Sequence, residues 1–427
     1  MTRKQMSGLW LTLVLLVSAL GWVGCGSYSG ITSNYRFLYD YESTALHPSY
    51  TLYHHSNDSS TLLLKLSTAE LLFVRTDANS PFFCAAQVRW TLFRDEGSAL
   101  AEADSGSFVM SDSGMQPHER LLLSEHHIPM SASPGLTLRI DIRDLNRPVE
   151  FTGSISVEKE NIYSPQHFLL RDSVSGAPLF GYYTDSTRTI RIEHQRAPDQ
   201  LVKAWVNRNE VKLPPPPFSS SQPTPPLMED FIPEKVTRQP GYTYIRITPG
   251  MHFISTDPSR ETGISLFCVH RFFPEIKDVG QLIAPLRYIT SKTEYGELEK
   301  SEYAKKMVDN FWMDCGGSKE KARDLIRIYY GRVQEANRYF STYTEGWRTD
   351  RGMIHLVFGN PNKVYRRSNS ETWVYGDEGT ASSLQFQFVK QNLPFSDNVY
   401  VLQRDPLHKP YWERAVTAWR SGRVYGD

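Results

Sequence analysis

The sequence predicts a multidomain chain, mainly β with an α+β end: two antiparallel β-sandwich domains followed by a C-terminal module of helices packed on a small antiparallel sheet. Three observations predict it. Short runs in which apolar and polar residues alternate with period two recur from Leu62 to Phe267. Clusters of Gly, Ser, Asn and Asp separate these runs, as in antiparallel sheets with one wet face. The register changes near Phe272, and from Ser301 the spacing of apolar residues is helical. A length of 427 residues fits two or three domains. Equal numbers of Lys+Arg and Asp+Glu, 47 each, give no general attraction to nucleic acid, and four Cys exclude a disulfide-dense scaffold or a multi-cysteine metal module.

Taken in order, the chain opens with Arg3 and Lys4, then an apolar stretch over residues 9–23, then Gly24-Cys25 and a small polar run. A charged start, an apolar core and a small residue at the cut site make an export signal. The apolar stretch is about 15 residues, short against the roughly 20 of a membrane span. A Cys directly after the small residue resembles the lipobox of bacterial lipoproteins, although Trp22 stands where that pattern usually has Leu. The resemblance implies a signal peptide over residues 1–24 and acylation of Cys25, which becomes the first residue of the mature chain. An uncleaved anchor, or ordinary secretion with Cys25 as a plain thiol, are the alternatives. Two acyl chains already anchor stably, so the triacylated Cys25 of a lipoprotein would hold the protein to the outer-membrane bilayer without spanning it. Residues 26–30 contain no Asp and no acidic cluster; by the same resemblance this implies the periplasmic face of the outer membrane. Loss of Arg3 and Lys4 with the signal leaves a mature charge of about −2.

Residues 25–49 read as a tether. The first β domain, residues 50–160, contains runs at residues 62–66, 71–74, 86–92, 136–142 and 155–157; in the fourth, Leu136, Leu138, Ile140 and Ile142 alternate with polar residues. The second, residues 161–272, has runs at 181–183, 189–192, 201–206, 242–247 and 264–267. Its Pro-rich stretch, residues 213–227, cannot be a central strand, because proline donates no ladder hydrogen bond. It reads as a stiff loop, with a polyproline ligand as the alternative. Cys84, Cys268 and Cys315 sit beside aromatic residues and read as buried thiols; one disulfide with a third Cys unpaired is the alternative.

Residues 273–427 form the last module. Tyr303, Met307, Phe311 and Trp312 recur at helical spacing until Cys315-Gly316-Gly317 stops the run, and Ser318 can cap a second helix. There Ala322, Leu325, Ile326, Tyr329, Val333, Ala336 and Phe340 make one apolar stripe, with Lys319, Arg323, Arg327, Glu335 and Arg338 on a solvated opposite face. Then come Gly346-Trp347-Arg348-Thr349-Asp350-Arg351-Gly352, an apolar run at residues 353–358, Gly359-Asn360-Pro361, and Glu371-Thr372-Trp373-Val374-Tyr375.

This ordered set resembles the GWxTD domain family, named for the motif at residues 346–350; the Phe311-Trp312 and Tyr329-Tyr330-Gly331-Arg332-Val333 pairs match it too. The resemblance spans about residues 295–405 and implies a Bacteroidota-type lipoprotein; it implies a location and an architecture, and no defined activity. Physically, Gly346 permits positive φ at the helix exit, Trp347 anchors the turn, and Asp350 accepts backbone N–H groups. Gly352 then releases a strand over residues 353–358, which the turn at Gly359 and Pro361 ends, and Trp373 and Tyr375 lie on the next of three further strands. A shorter resemblance, over about 50 residues, is to BamE-type (SmpA/OmlA) outer-membrane lipoproteins, accessory subunits of β-barrel assembly with the same Gly-x-Pro turn and Trp-x-Tyr strand.

No catalytic, metal or cofactor residues are assigned. Asp350 and His355 would suit a hydrolase, but a strand at 353–358 puts His355 on a face away from Asp350. The pairs His54-His55 and His126-His127 have no Cys or carboxylate at ligand spacing. The run Tyr411-Trp412-Glu413-Arg414 with Trp419 reads as a final amphipathic helix or as a contact surface. The expected function is a non-enzymatic scaffold lipoprotein that binds other envelope proteins, such as a β-barrel complex of outer-membrane protein assembly or secretion. A carbohydrate-binding lipoprotein and an envelope hydrolase are the alternatives.

Overall fold

The computed structural model describes residues 34–39, 45–96, 100–185, 188–194, 202–380 and 383–425. The signal segment, Cys25 and most of the tether lie outside the described residues. None of the described helices is long and apolar enough to cross a membrane.

The first sandwich comprises β1 (Ser49–Tyr53), β2 (Ser59–Ser67), β3 (Phe82–Asp95), β4 (Leu100–Gly114), β5 (Leu121–Pro129), β6 (Leu136–Asp144) and β7 (Glu150–Ser156). Its sheets run β1-β2-β5 and β4-β3-β6-β7. The alternation seen in the sequence is the alternation of burial: Leu136, Leu138, Ile140 and Ile142 on β6 meet Leu62, Leu64 and Leu66 on β2 in one core. Residues 71–74 are a correction. They follow a 3₁₀ turn (Thr68–Glu70) and contribute only a single bridge, Val74 to Phe83. Strands β4 and β5 were not anticipated, because β4 is an edge strand carrying Glu, Asp and Ser along most of its length.

The second sandwich contains β8 (Leu169–Asp172), β9 (Tyr183–Asp185), β10 (Thr189–Glu193), β11 (Lys203–Asn207), β12 (Ile232–Glu234), β13 (Val236–Gln239), β14 (Tyr242–Arg246), β15 (Gly250–Ser255) and β16 (Ile264–Val269). The sheets are β13-β14-β10-β8 and β12-β11-β15-β16-β9, antiparallel except for β16 with β9. The five-stranded sheet is buried on both faces. Ala204, Ile254, Leu266 and Cys268 meet the other sheet, whereas Trp205, Met251 and Phe253 turn outwards onto Phe395 of the C-terminal module. Tyr53, Leu63 and Leu169 join the two sandwiches. Cys84, Cys268 and Cys315 are buried in three separate clusters, and no disulfide joins them.

The C-terminal module comprises α1 (Gly280–Ile283), α2 (Lys292–Lys300), α3 (Ala304–Gly316), α4 (Lys319–Phe340), α5 (Asp350–Phe358), a meander of β17 (Lys363–Arg366), β18 (Ser370–Tyr375), β19 (Leu384–Lys390) and β20 (Tyr400–Leu402), and α6 (Lys409–Arg420). Gly317 ends α3 in the left-handed region at φ 69°, and the Ser318 hydroxyl accepts the Lys321 N–H to cap α4. The apolar stripe of α4 is buried except for half-buried Ile326. Trp412, Ala415 and Trp419 are buried, so the C-terminal run forms the closing helix, α6.

The strand expected at residues 353–358 is a helix, α5. Its nine residues are all buried, so the apolar run carries no periodicity that separates helix from strand. The deciding feature is the start: Thr349 caps the helix by accepting the Gly352 N–H at 3.1 Å, and Asp350 supplies an acidic first turn.

Candidate functional site

The motif is a tight junction between helices. Residues Gly346–Arg348 form a 3₁₀ turn between α4 and α5. Gly346 is needed for close approach and does not take the positive φ expected of it. A Cβ there would lie 1.8 Å from the Ala336 carbonyl oxygen, and one on Gly352 would lie 1.9 Å from that of Gly346. Trp347 is buried against Tyr288, whose hydroxyl donates to the Trp347 carbonyl. Gly359, at φ 79°, ends α5 with Arg332 packed against it, and buried Pro361 leads into β17.

From this junction the two charged motif residues diverge. Asp350 pairs with Arg404, just past β20, and accepts the Leu402 N–H at 2.8 Å; both paired side chains are 1% exposed. Burial pushes the Asp350 carboxyl above the usual carboxylate range, and Arg404 with the Leu402 N–H offsets part of that push. Arg351 points to a second centre. It donates to the Asn398 carbonyl at 2.8 Å, lies over the Tyr400 ring, and stands 3.5 Å from Glu371. Glu371 is fully buried and accepts the Tyr39 hydroxyl at 2.8 and 2.9 Å together with the Trp373 indole N–H. The Tyr375 hydroxyl donates to the Gly359 carbonyl.

Sequence reasoning missed Arg404, Glu371 and Tyr39. One signal could have found Glu371: it lies two residues before Trp373, on the same strand face as an aromatic expected inside. Tyr39→Phe is expected to cost about 1–3 kcal/mol, because Glu371 loses its hydroxyl donor in a buried site. A urea midpoint read by tryptophan emission measures it, since Trp312, Trp347, Trp373, Trp412 and Trp419 all belong to this module.

His355 does not face Asp350. Its Nε2 lies 2.9 Å from Glu335, which therefore leaves the solvated face expected for it and turns inwards. Burial lowers the His355 pKa below 6.5, and Glu335 offsets part of the effect. The unfolded chain takes up this proton near 6.5 and the folded chain only at lower pH, so the stability is complete above that value and is lost as the pH falls towards the folded pKa. His355→Gln should lose less stability than wild type between about pH 7.5 and 5.5, measured by urea midpoints.

The other histidine pairs are dispersed. His54 bonds Ser60 and Gln166, while His55 and His127 share the Thr61 hydroxyl. Among the described residues, no group of three or more His, Cys, Asp or Glu is placed to hold a metal.

The motif borders a cleft of about 850 Å³, lined by the Pro-rich loop, by Met251 and Phe267 of the second sandwich, and by Tyr343, Arg348 and Tyr400 of the module. Arg404 reaches from Asp350 to this loop, donating to the Pro215 carbonyl at 2.9 Å and to Gln222 at 2.8 Å. One buried ion pair thus ties motif, final strand and second sandwich together.

A buried Gly-Trp junction, an Asp–Arg pair and helices on a four-stranded meander define a structural module of the GWxTD type. The chain matches the GWxTD domain over residues 250–421 and carries that domain there. That span begins at β15, whose Met251 and Phe253 pack on the module across the shared cluster. No curated protein matches the chain. The BamE-type likeness gains no support: it required a strand where α5 stands.

Proposed function

We propose that this protein is a non-enzymatic, lipid-anchored scaffold of the outer membrane, acylated at Cys25 and facing the periplasm, which binds other envelope proteins such as a β-barrel assembly or secretion complex. The observation that carries the reading is the fate of the motif's ionisable side chains. Asp350, Arg351 and His355, all buried, are each spent on a different partner, Arg404, Asn398 with Glu371, and Glu335. Such contacts hold a shape and leave no nucleophile and base paired for chemistry. Exposed Leu100, Val109, Leu121 and Leu123 on the edge strands β4 and β5 supply apolar surface suited to a protein contact.

The test is cross-linking in intact cells followed by pull-down from detergent-solubilised membranes. A co-purifying envelope complex is the expected result. Glycan-array binding without such a complex would replace the reading by carbohydrate binding, and hydrolytic turnover would replace it by an envelope hydrolase. Palmitate labelling that persists in Cys25→Ser would overturn the anchor.

A further inference from the structure

We propose that the GWxTD module carries a receptor groove for an extended proline-rich peptide, and that residues 211–218 of the chain itself are the ligand seated in it. The segment 213–218 reads Leu-Pro-Pro-Pro-Pro-Phe. A polyproline II helix has three residues per turn, so Pro214 and Pro217 share one face. Those two are buried, whereas Pro216 is exposed. Leu213 and Phe218, at either end, pack against the core of the module.

The backbone is read as well. The Pro215 carbonyl accepts from Arg404 Nη2 at 2.9 Å and Nε at 3.3 Å, and the Pro217 carbonyl accepts the Asp405 N–H at 3.1 Å and lies 3.2 Å from His408 Nδ1. The Val211 carbonyl accepts from Arg348 at 3.4 Å. Every one of these donors belongs to the module, and Asp350 of the same module pairs with Arg404. Apolar anchors at both ends, a Pro-x-x-Pro face and carbonyls met by fixed donors are the elements of proline-rich recognition. A stiff ligand loses little entropy on docking, and a loop tethered to β11 and β12 holds the groove at high effective concentration. The partner that fits is therefore a segment of apolar-Pro-x-x-Pro-aromatic pattern that turns at its aromatic end, as the Ser219 N–H closes on the Pro216 carbonyl here, and that competes with this loop. The biological use of the groove rests on the scaffold reading; binding by the groove does not.

The test titrates a fluorescein-labelled peptide of residues 209–221 into the full-length chain carrying Leu213→Gly, Pro214→Ser, Pro217→Ser and Phe218→Gly, followed by anisotropy. Saturable binding is expected, at least about tenfold tighter than to wild type, whose groove is filled, and at least about tenfold tighter than that of a peptide with Leu213→Ala and Phe218→Ala. If near-UV circular dichroism shows the fourfold variant unfolded, Phe218→Ala alone, which loosens one anchor, is titrated and should bind more tightly than wild type. A folded loop variant that ignores the peptide, or binds the alanine-anchored peptide equally well, overturns the proposal. Capture of an envelope complex in that case would leave the scaffold reading standing.

Discussion

Gly346→Ala is expected to leave no folded C-terminal module. The added Cβ would sit 1.8 Å from the Ala336 carbonyl oxygen and 2.5 Å from its carbon, both backbone atoms near the C-terminal end of α4. No rotamer relieves a clash with backbone, so either α4 bends or the 3₁₀ turn moves off it, and α5 moves with the turn. Gly352→Ala meets the same obstacle one layer on, at the Gly346 carbonyl. We expect each to cost more than about 4 kcal/mol, in the exceptional range for single substitutions. The measurement is tryptophan emission of the purified chain in urea. A variant retaining the wild-type transition would show that the turn has slack that the packing of Gly346 against α4 does not suggest. Gly331→Ala is a control on the same helix, since a Cβ there meets nothing within 4 Å.

Asp350→Ala is expected to destabilise the module by about 3–5 kcal/mol, the range for removing one partner of a buried ion pair. Both side chains are 1% exposed, so solvent does not screen the loss. Arg404 would be left buried with carbonyl and amide acceptors but no carboxylate, and the Leu402 N–H would lose its acceptor. Asp350→Ala with Arg404→Ala should recover part of the loss by removing the stranded charge, and the double-mutant cycle gives the coupling. Because Arg404 also holds the Pro-rich loop, limited proteolysis at that loop should accelerate in both single variants. An unchanged urea midpoint in Asp350→Ala would show that the pair contributes nothing to holding motif and loop together.

Much of the architecture is legible in the sequence. Period-two alternation on β6 and the paired run on β3 identify strands because one face of each sheet meets water and the other does not. The stripe on α4 is legible for the same reason, and Ser318 and Gly317 mark the break between α3 and α4 through local backbone chemistry. The location of the motif was legible too, as an ordered string of rare residues. Its shape was not. A segment buried on every side, as α5 is, shows no contrast between faces, and only the Thr349 cap distinguishes helix from strand there.

By itself, then, the sequence determined the order of the β and α+β parts, the stripe and N-terminal cap of α4, and the place of the GWxTD motif, since each depends on neighbours within a few turns of chain. Tertiary structure alone decided what the motif residues touch. Asp350 meets Arg404, which in turn donates to the Pro215 carbonyl of the Pro-rich loop, and Glu371 meets Tyr39 from the far end of the chain. A buried charge is satisfied by whatever group the fold carries to it, and that partner's position leaves no mark in the residues on either side of the charge.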